Sequence, residues 1–130
     1  MKIMLAYDGS DAAKEASELA HKHAKAFNGS VYIVTSLGSS HDVPKKDFEA
    51  AEQDLNSAEN LLKENNITCE THLLVHGLSP GEDLVQFAEA NQIDEIILGV
   101  RERSKVGKLL LGSTAHYVIM KAPCPVVTIR

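Results

Sequence analysis

The sequence predicts an α/β protein built as one domain over residues 1–130, with a five-stranded parallel sheet and helices on both of its faces. Two observations lead there. Apolar runs too short to be helices alternate along the chain with amphipathic stretches of helical period. Capping and turn residues stand at most of the boundaries between them. A chain of 130 residues, 44% hydrophobic and 24% charged, is long enough to bury a real core and too short to divide readily in two.

The elements follow in order. Lys2 to Tyr7 reads as a strand, closed by the turn Asp8-Gly9-Ser10, with Ser10 placed to cap a helix. That helix spans Asp11 to Phe27, with Ala12, Ala16, Leu19, Ala20, Ala24 and Phe27 at helical spacing and Asn28-Gly29 as a left-handed stop. Val31 to Leu37 is a second strand, and Gly38 to Val43 a polar loop. Pro44 then opens a helix with Phe48, Ala51, Leu55, Ala58 and Leu62 on one stripe, ended by Asn65-Asn66. Ile67 to Val75, of mixed polarity, reads as an edge strand broken by His76-Gly77. Ser79-Pro80-Gly81-Glu82 is a capping box whose helix turns Leu84, Phe87, Ala88 and Asn91 inward. Glu95 to Val100 is a fourth strand, Arg101 to Leu111 a basic loop, Gly112 to Lys121 the last helix and Pro125 to Arg130 the last strand.

Charge and hydropathy narrow the possible partners. A net charge of -5 argues against a broad nucleic-acid or acidic-membrane surface, so any anion site must be local. No apolar run approaches the roughly 18 residues of a membrane span, and Asp8 interrupts the start before a signal-peptide core can form. Cys69 and Cys124 fit neither a disulfide framework nor a metal-binding spacing. A cytoplasmic protein with reduced thiols and no metal centre is expected. Among the six histidines, no pair has i, i+4 spacing on a predicted helix, and no nucleophile, base and orienting acid can be assembled.

Chemistry concentrates between the fourth strand and the last helix. In parallel sheets ligands bind beyond the carboxyl ends of the strands where the strand order reverses, and Asp8 and Gly99 lie at such ends. The stretch from Gly99 through Gly107 to Gly112-Ser113-Thr114 joins a strand exit to a helix start. Glycine there lets backbone approach a ligand, and the free N–H groups of Gly112, Ser113 and Thr114 can hold phosphate. The Walker P-loop does not fit, since Glu102 and Gly107-Lys108-Leu109 stand where its glycine and Gly-Lys-Ser/Thr belong. Nor does a G-x-G-x-x-G follow the first strand.

This segment resembles the universal stress protein family, whose nucleotide-binding members carry G-x-x-G, nine residues, then G-[S/T] in the same setting. The resemblance covers nearly the whole chain: Ile3 to Ser10, Ser79-Pro80, Ile96 to Gly99, Leu110 to Ser113, and Ala122 to Val127 all match. It implies a Rossmann-like fold of the adenine nucleotide alpha hydrolase kind, strand order 3-2-1-4-5, and homodimers paired through the C-terminal strand. It further implies a stress-response regulatory or protective module that holds ATP or another adenine nucleotide, with or without Mg²⁺, and turns it over little or not at all. Gly99, Gly112 and Ser113 match the phosphate-binding positions, Asp8 the acidic residue near the adenosine, and Ser36 a position near the adenine.

Glu102 departs from the family pattern by replacing the second glycine. Its carboxylate would repel a close phosphate by about 1 to 4 kcal/mol, depending on solvent access. Against it stand Arg101, Arg103, Lys105 and Lys108, which leave residues 101–108 at net +3. Two other functions fit the same residues. One is a family member that binds no nucleotide and works through protein contacts. The other is a slow Mg²⁺-dependent nucleotide hydrolase with Asp8 as its acidic group.

Overall fold

A computed structural model describes residues 1–38, 43–100 and 111–130. The chain runs β1 (Lys2–Ala6), α1 (Asp11–Phe27), β2 (Ser30–Ser36), α2 (Lys45–Glu64), β3 (Cys69–Leu74), α3 (Pro80–Ala90), β4 (Glu95–Gly99), α4 (Ser113–Lys121) and β5 (Val126–Ile129). The strands form one sheet in the order β3-β2-β1-β4-β5. Every pairing is parallel, with Met4 opposite Tyr32 on one side and Ile96 on the other. This is the architecture that the alternation of runs and the family resemblance led us to expect.

The apolar runs are continuous because both faces of the central strands are covered. Ile3, Leu5, Val31, Ile33 and Ile97 point to one side and pack with α1 and α2. Met4, Ala6, Val34, Ile96 and Leu98 point to the other and pack with α3 and α4. Helix α1 presents Ala13, Ala16, Ala20 and Ala24 to the sheet. So small a stripe lets its backbone lie very close to the strands. A Cβ on Gly99 would come within 2.5 Å of the Ala12 carbonyl carbon and 2.8 Å of the Ala13 nitrogen.

The caps act as their residue types require. Ser10 Oγ accepts from the Ala13 N–H at 3.1 Å. Ser79 Oγ accepts from the Glu82 N–H at 3.4 Å and donates to Glu82 Oε1 at 2.7 Å, so the box closes hydroxyl to carboxylate. Local details differ from expectation at the end of α1. Asn28, at φ 52°, makes the left-handed stop itself. Phe27 lies off the inward stripe, 56% exposed, and meets the His23 ring edge-on at 5.6 Å. His23 Nδ1 contacts Glu95 Oε1 at 2.6 Å, tying that end of α1 to β4.

On the opposite face α3 and α4 also touch closely. A Cβ on Gly81 would lie 2.8 Å from Tyr117 Cβ. Gly81→Ala is therefore expected to push the two helices apart and cost about 1–3 kcal/mol, read as a lowered urea midpoint. An unchanged midpoint would show that the helices do not pack through this contact.

Candidate functional site

The strand order reverses between β1 and β4. The chain builds outward from β1 through β2 to β3, then returns to add β4 on the other side. Beyond the carboxyl ends of these strands lies a cavity of about 330 Å³. Ala6, Tyr7 and Asp8 reach it from β1, Val34, Thr35 and Ser36 from β2, and Leu98, Gly99 and Val100 from β4. Pro80 and Leu84 of α3 and the first turn of α4, Gly112 to Ala115, complete the wall together with Ala13. All six residues singled out from the sequence, Asp8, Ser36, Gly99, Gly112, Ser113 and Thr114, border this one space.

The lining of the cavity is chemically mixed. Helix α4 begins on Gly112, whose backbone is extended at φ -66° and ψ 164°, and no side chain among the described residues caps the helix. Its first intrahelical bond runs from the His116 N–H to the Gly112 carbonyl at 3.0 Å. The N–H groups ahead of it, carrying the positive end of the helix dipole, have no intrahelical acceptor. Val34, Pro80 and Leu84 give the same cavity an apolar lining that it shares with Ser36.

Hydrogen bonds hold the floor rigid. Thr35 Oγ1 donates to the Tyr7 carbonyl at 2.7 Å, and the Tyr7 N–H donates to the Val34 carbonyl at 2.9 Å. Asp8 Oδ1 accepts from the Ser10 N–H at 2.9 Å, which sets the turn into α1. Gly9 is left-handed at φ 76°, and the Asp54 carboxylate occupies the space a Cβ would need. Burial pushes the Tyr7 phenol above its ordinary value of 10.0, and the Asp54 and Asp8 charges push it further. The Tyr7 hydroxyl is thus a neutral donor throughout the physiological range.

The sequence did not single out Asp83. Its side chain lies in the first turn of α3, 1% exposed, and Oδ2 accepts from Ser36 Oγ at 2.6 Å. Oδ1 makes no hydrogen bond with the described residues, and His76 Nδ1 stands 3.6 Å from it. The signal was an acidic residue at i-4 from Phe87 and next to Leu84, on the flank of the inward stripe. Tyr7, Thr35, Pro80 and Leu84 were also passed over as wall residues, because in sequence they read only as core or cap.

Among the described residues no group of three His, Cys, Asp or Glu is placed to hold a metal ion. Burial raises the thiols of Cys69 and Cys124 above 9.0, with carboxylates adding in the same direction. Cys124 is half-buried against the α3/α4 side of the core, as a packing residue would be. Glu102 and the basic residues 101–108 lie outside the described residues. No helix is long and apolar enough to cross a membrane, among the residues described.

A doubly wound parallel sheet with a cavity at its switch point defines a Rossmann-like α/β protein. The profile of the universal stress protein family matches residues 1–130, and the chain belongs to that family. A Thermus aquaticus relative described as "Universal stress protein in QAH/OAS sulfhydrylase 3'region" is 36% identical, over 98% of this chain and 97% of its own. The structure of a universal stress protein from Archaeoglobus fulgidus superposes with a TM-score of 0.92 at 36% identity, covering 100% of this chain and 98% of that one. A second, of the universal stress protein from Archaeoglobus fulgidus in complex with dAMP, gives a TM-score of 0.86 at 32% identity over the same shares, 100% and 98%.

Proposed function

We propose that this chain is a stress-response module that binds an adenine nucleotide, ATP or a close analogue, in the cavity at the β1/β4 switch point. One observation carries the reading: a single cavity is lined both by the start of α4, which no described side chain caps, and by apolar residues beside the Ser36 hydroxyl. The N–H groups of Gly112, Ser113 and Thr114 receive the phosphates, with Gly99 at the adjoining strand exit. The base lies between the Val34 and Leu84 walls near Ser36, and Asp8 faces the sugar. The relative in complex with dAMP supports the same class of ligand.

The module acts in the cytoplasm with little or no turnover of its nucleotide, as a homodimer paired through β5. That strand is at the sheet edge with Val126, Val127 and Ile129 only half-buried, and α4 carries Met120 66% exposed. An edge of this kind is protected by pairing with a second copy. Sedimentation at micromolar concentration is expected to show a dimer, and a monomer would remove this part of the reading. Calorimetric titration of nucleotide-free protein with ATP, with and without Mg²⁺, is expected to show micromolar binding. No heat up to millimolar ATP would retire the cavity as an ATP site.

A further inference from the structure

The buried Asp83 is left without a role by the cavity lining alone, and its contact with Ser36 gives it one. The Ser36 hydroxyl has one proton and two lone pairs. Its proton goes to Asp83 Oδ2 at 2.6 Å, and one lone pair accepts from the Gly38 N–H at 3.4 Å. A single acceptor site remains on a residue that lines the cavity.

We infer that Asp83 is a positioning residue that fixes Ser36 as a hydrogen-bond acceptor, so that the cavity selects a ligand whose base presents a donor there: a 6-amino purine over a 6-oxo purine. The inference rests on the nucleotide reading above and deepens it. Asp83 is held for this task. Its backbone N–H donates to the Ser79 carbonyl at 3.0 Å and its side chain is enclosed. The positive end of the α3 dipole and His76 Nδ1, 3.6 Å from Oδ1, both face the carboxyl group, and Oδ2 is the atom that takes the Ser36 proton. Turning the Ser36 proton into the cavity would therefore leave that buried side chain with no hydrogen bond among the described residues.

Strand spacing supports placing the base at Ser36. β2 and β4 both flank β1, so their carboxyl ends are roughly 10 Å apart at the usual strand spacing. With phosphate at the α4 start beside β4, a nucleoside monophosphate reaches Ser36 with its base against Val34 and Leu84. An amino group at position 6 donates to the Ser36 oxygen, whereas an oxo group opposes its lone pair to that of Ser36.

The test is calorimetric titration of the full chain with AMP and with IMP. AMP is expected to bind at least about tenfold more tightly, the usual effect of a buried polar atom left unpaired. Ser36→Ala should bring the ratio towards one by weakening AMP. Asp83→Asn offers Ser36 an amide donor, frees its proton for the ligand, and should shift the ratio towards IMP. Equal binding of AMP and IMP by the unaltered protein would overturn the inference while leaving the nucleotide reading intact. A ratio unchanged in both variants would also overturn it, since a merely structural Asp83 weakens both ligands alike. Binding of neither ligand would instead remove the nucleotide reading and this inference with it. Ser36→Ala alters a half-buried hydroxyl at a strand end, so it keeps the test decisive if Asp83→Asn does not fold.

Discussion

Gly99→Ala is expected to lower stability by about 2–3 kcal/mol, although it adds only a methyl group. The new Cβ would meet main-chain atoms, the Ala12 carbonyl carbon at 2.5 Å and its oxygen at 2.6 Å, at the start of α1. Flexible side chains can move from such a contact cheaply. The first turn of a helix cannot, because it is held by Ser10 and by the alanine stripe on the sheet. Overpacking of this kind costs about 1–3 kcal/mol, and occasionally more. A urea midpoint lowered by about 1–2 M would match that cost at the slope usual for small proteins. A wild-type midpoint would mean that α1 does not rest on β4 here. Because Asp8 and Ser10 belong to the same turn, the variant should also weaken any ligand in the cavity.

Gly112→Asp separates binding from stability. Gly112 is the residue before α4, extended at φ -66°, so an L side chain meets no backbone strain there. Asp is a better residue than Gly at that position by a few tenths of a kcal/mol, and its charge suits the helix start. The urea midpoint should therefore hold or rise slightly. Nucleotide binding should fall at least about fivefold, since a carboxylate some 4 Å from a phosphate repels it by about 1 to 4 kcal/mol. Calorimetry with ATP reads the loss. Unchanged affinity would place the phosphates away from the α4 start and take Gly112, Ser113 and Thr114 out of the site.

The two glycines show how much of the site was legible in the sequence. Gly112 and Gly99 stand out in the chain as glycines at a helix start and a strand exit, which suggests backbone approach to a ligand. For Gly99 the tertiary structure supplies another reason, since α1 backbone fills the space a side chain would need. That contact joins Gly99 to Ala12, 87 positions away, and no local pattern encodes it. Asp83 was missed for a similar cause. An acidic residue in the first turn of a helix reads as a dipole partner facing water, and only the packing of α3 over β2 brings it against Ser36.

What the sequence determined by itself is whatever depends on neighbours along the chain. The period of apolar residues set the helix faces, Ser10 and Ser79 set where α1 and α3 begin, and the uninterrupted apolar runs required a sheet buried on both faces. Asn28 stopped α1 one residue earlier than a glycine rule would put it, because asparagine also tolerates the left-handed region. What only the tertiary structure decided is which groups meet across the sheet. The adjacency of β1 and β4, the cavity that gathers the ends of β1, β2 and β4, and the bond between Ser36 and Asp83 are all long-range. They follow from the β3–α3–β4 crossover, which sets β4 beside β1 and whose energy comes from burying both faces of the sheet at once and not from any segment alone.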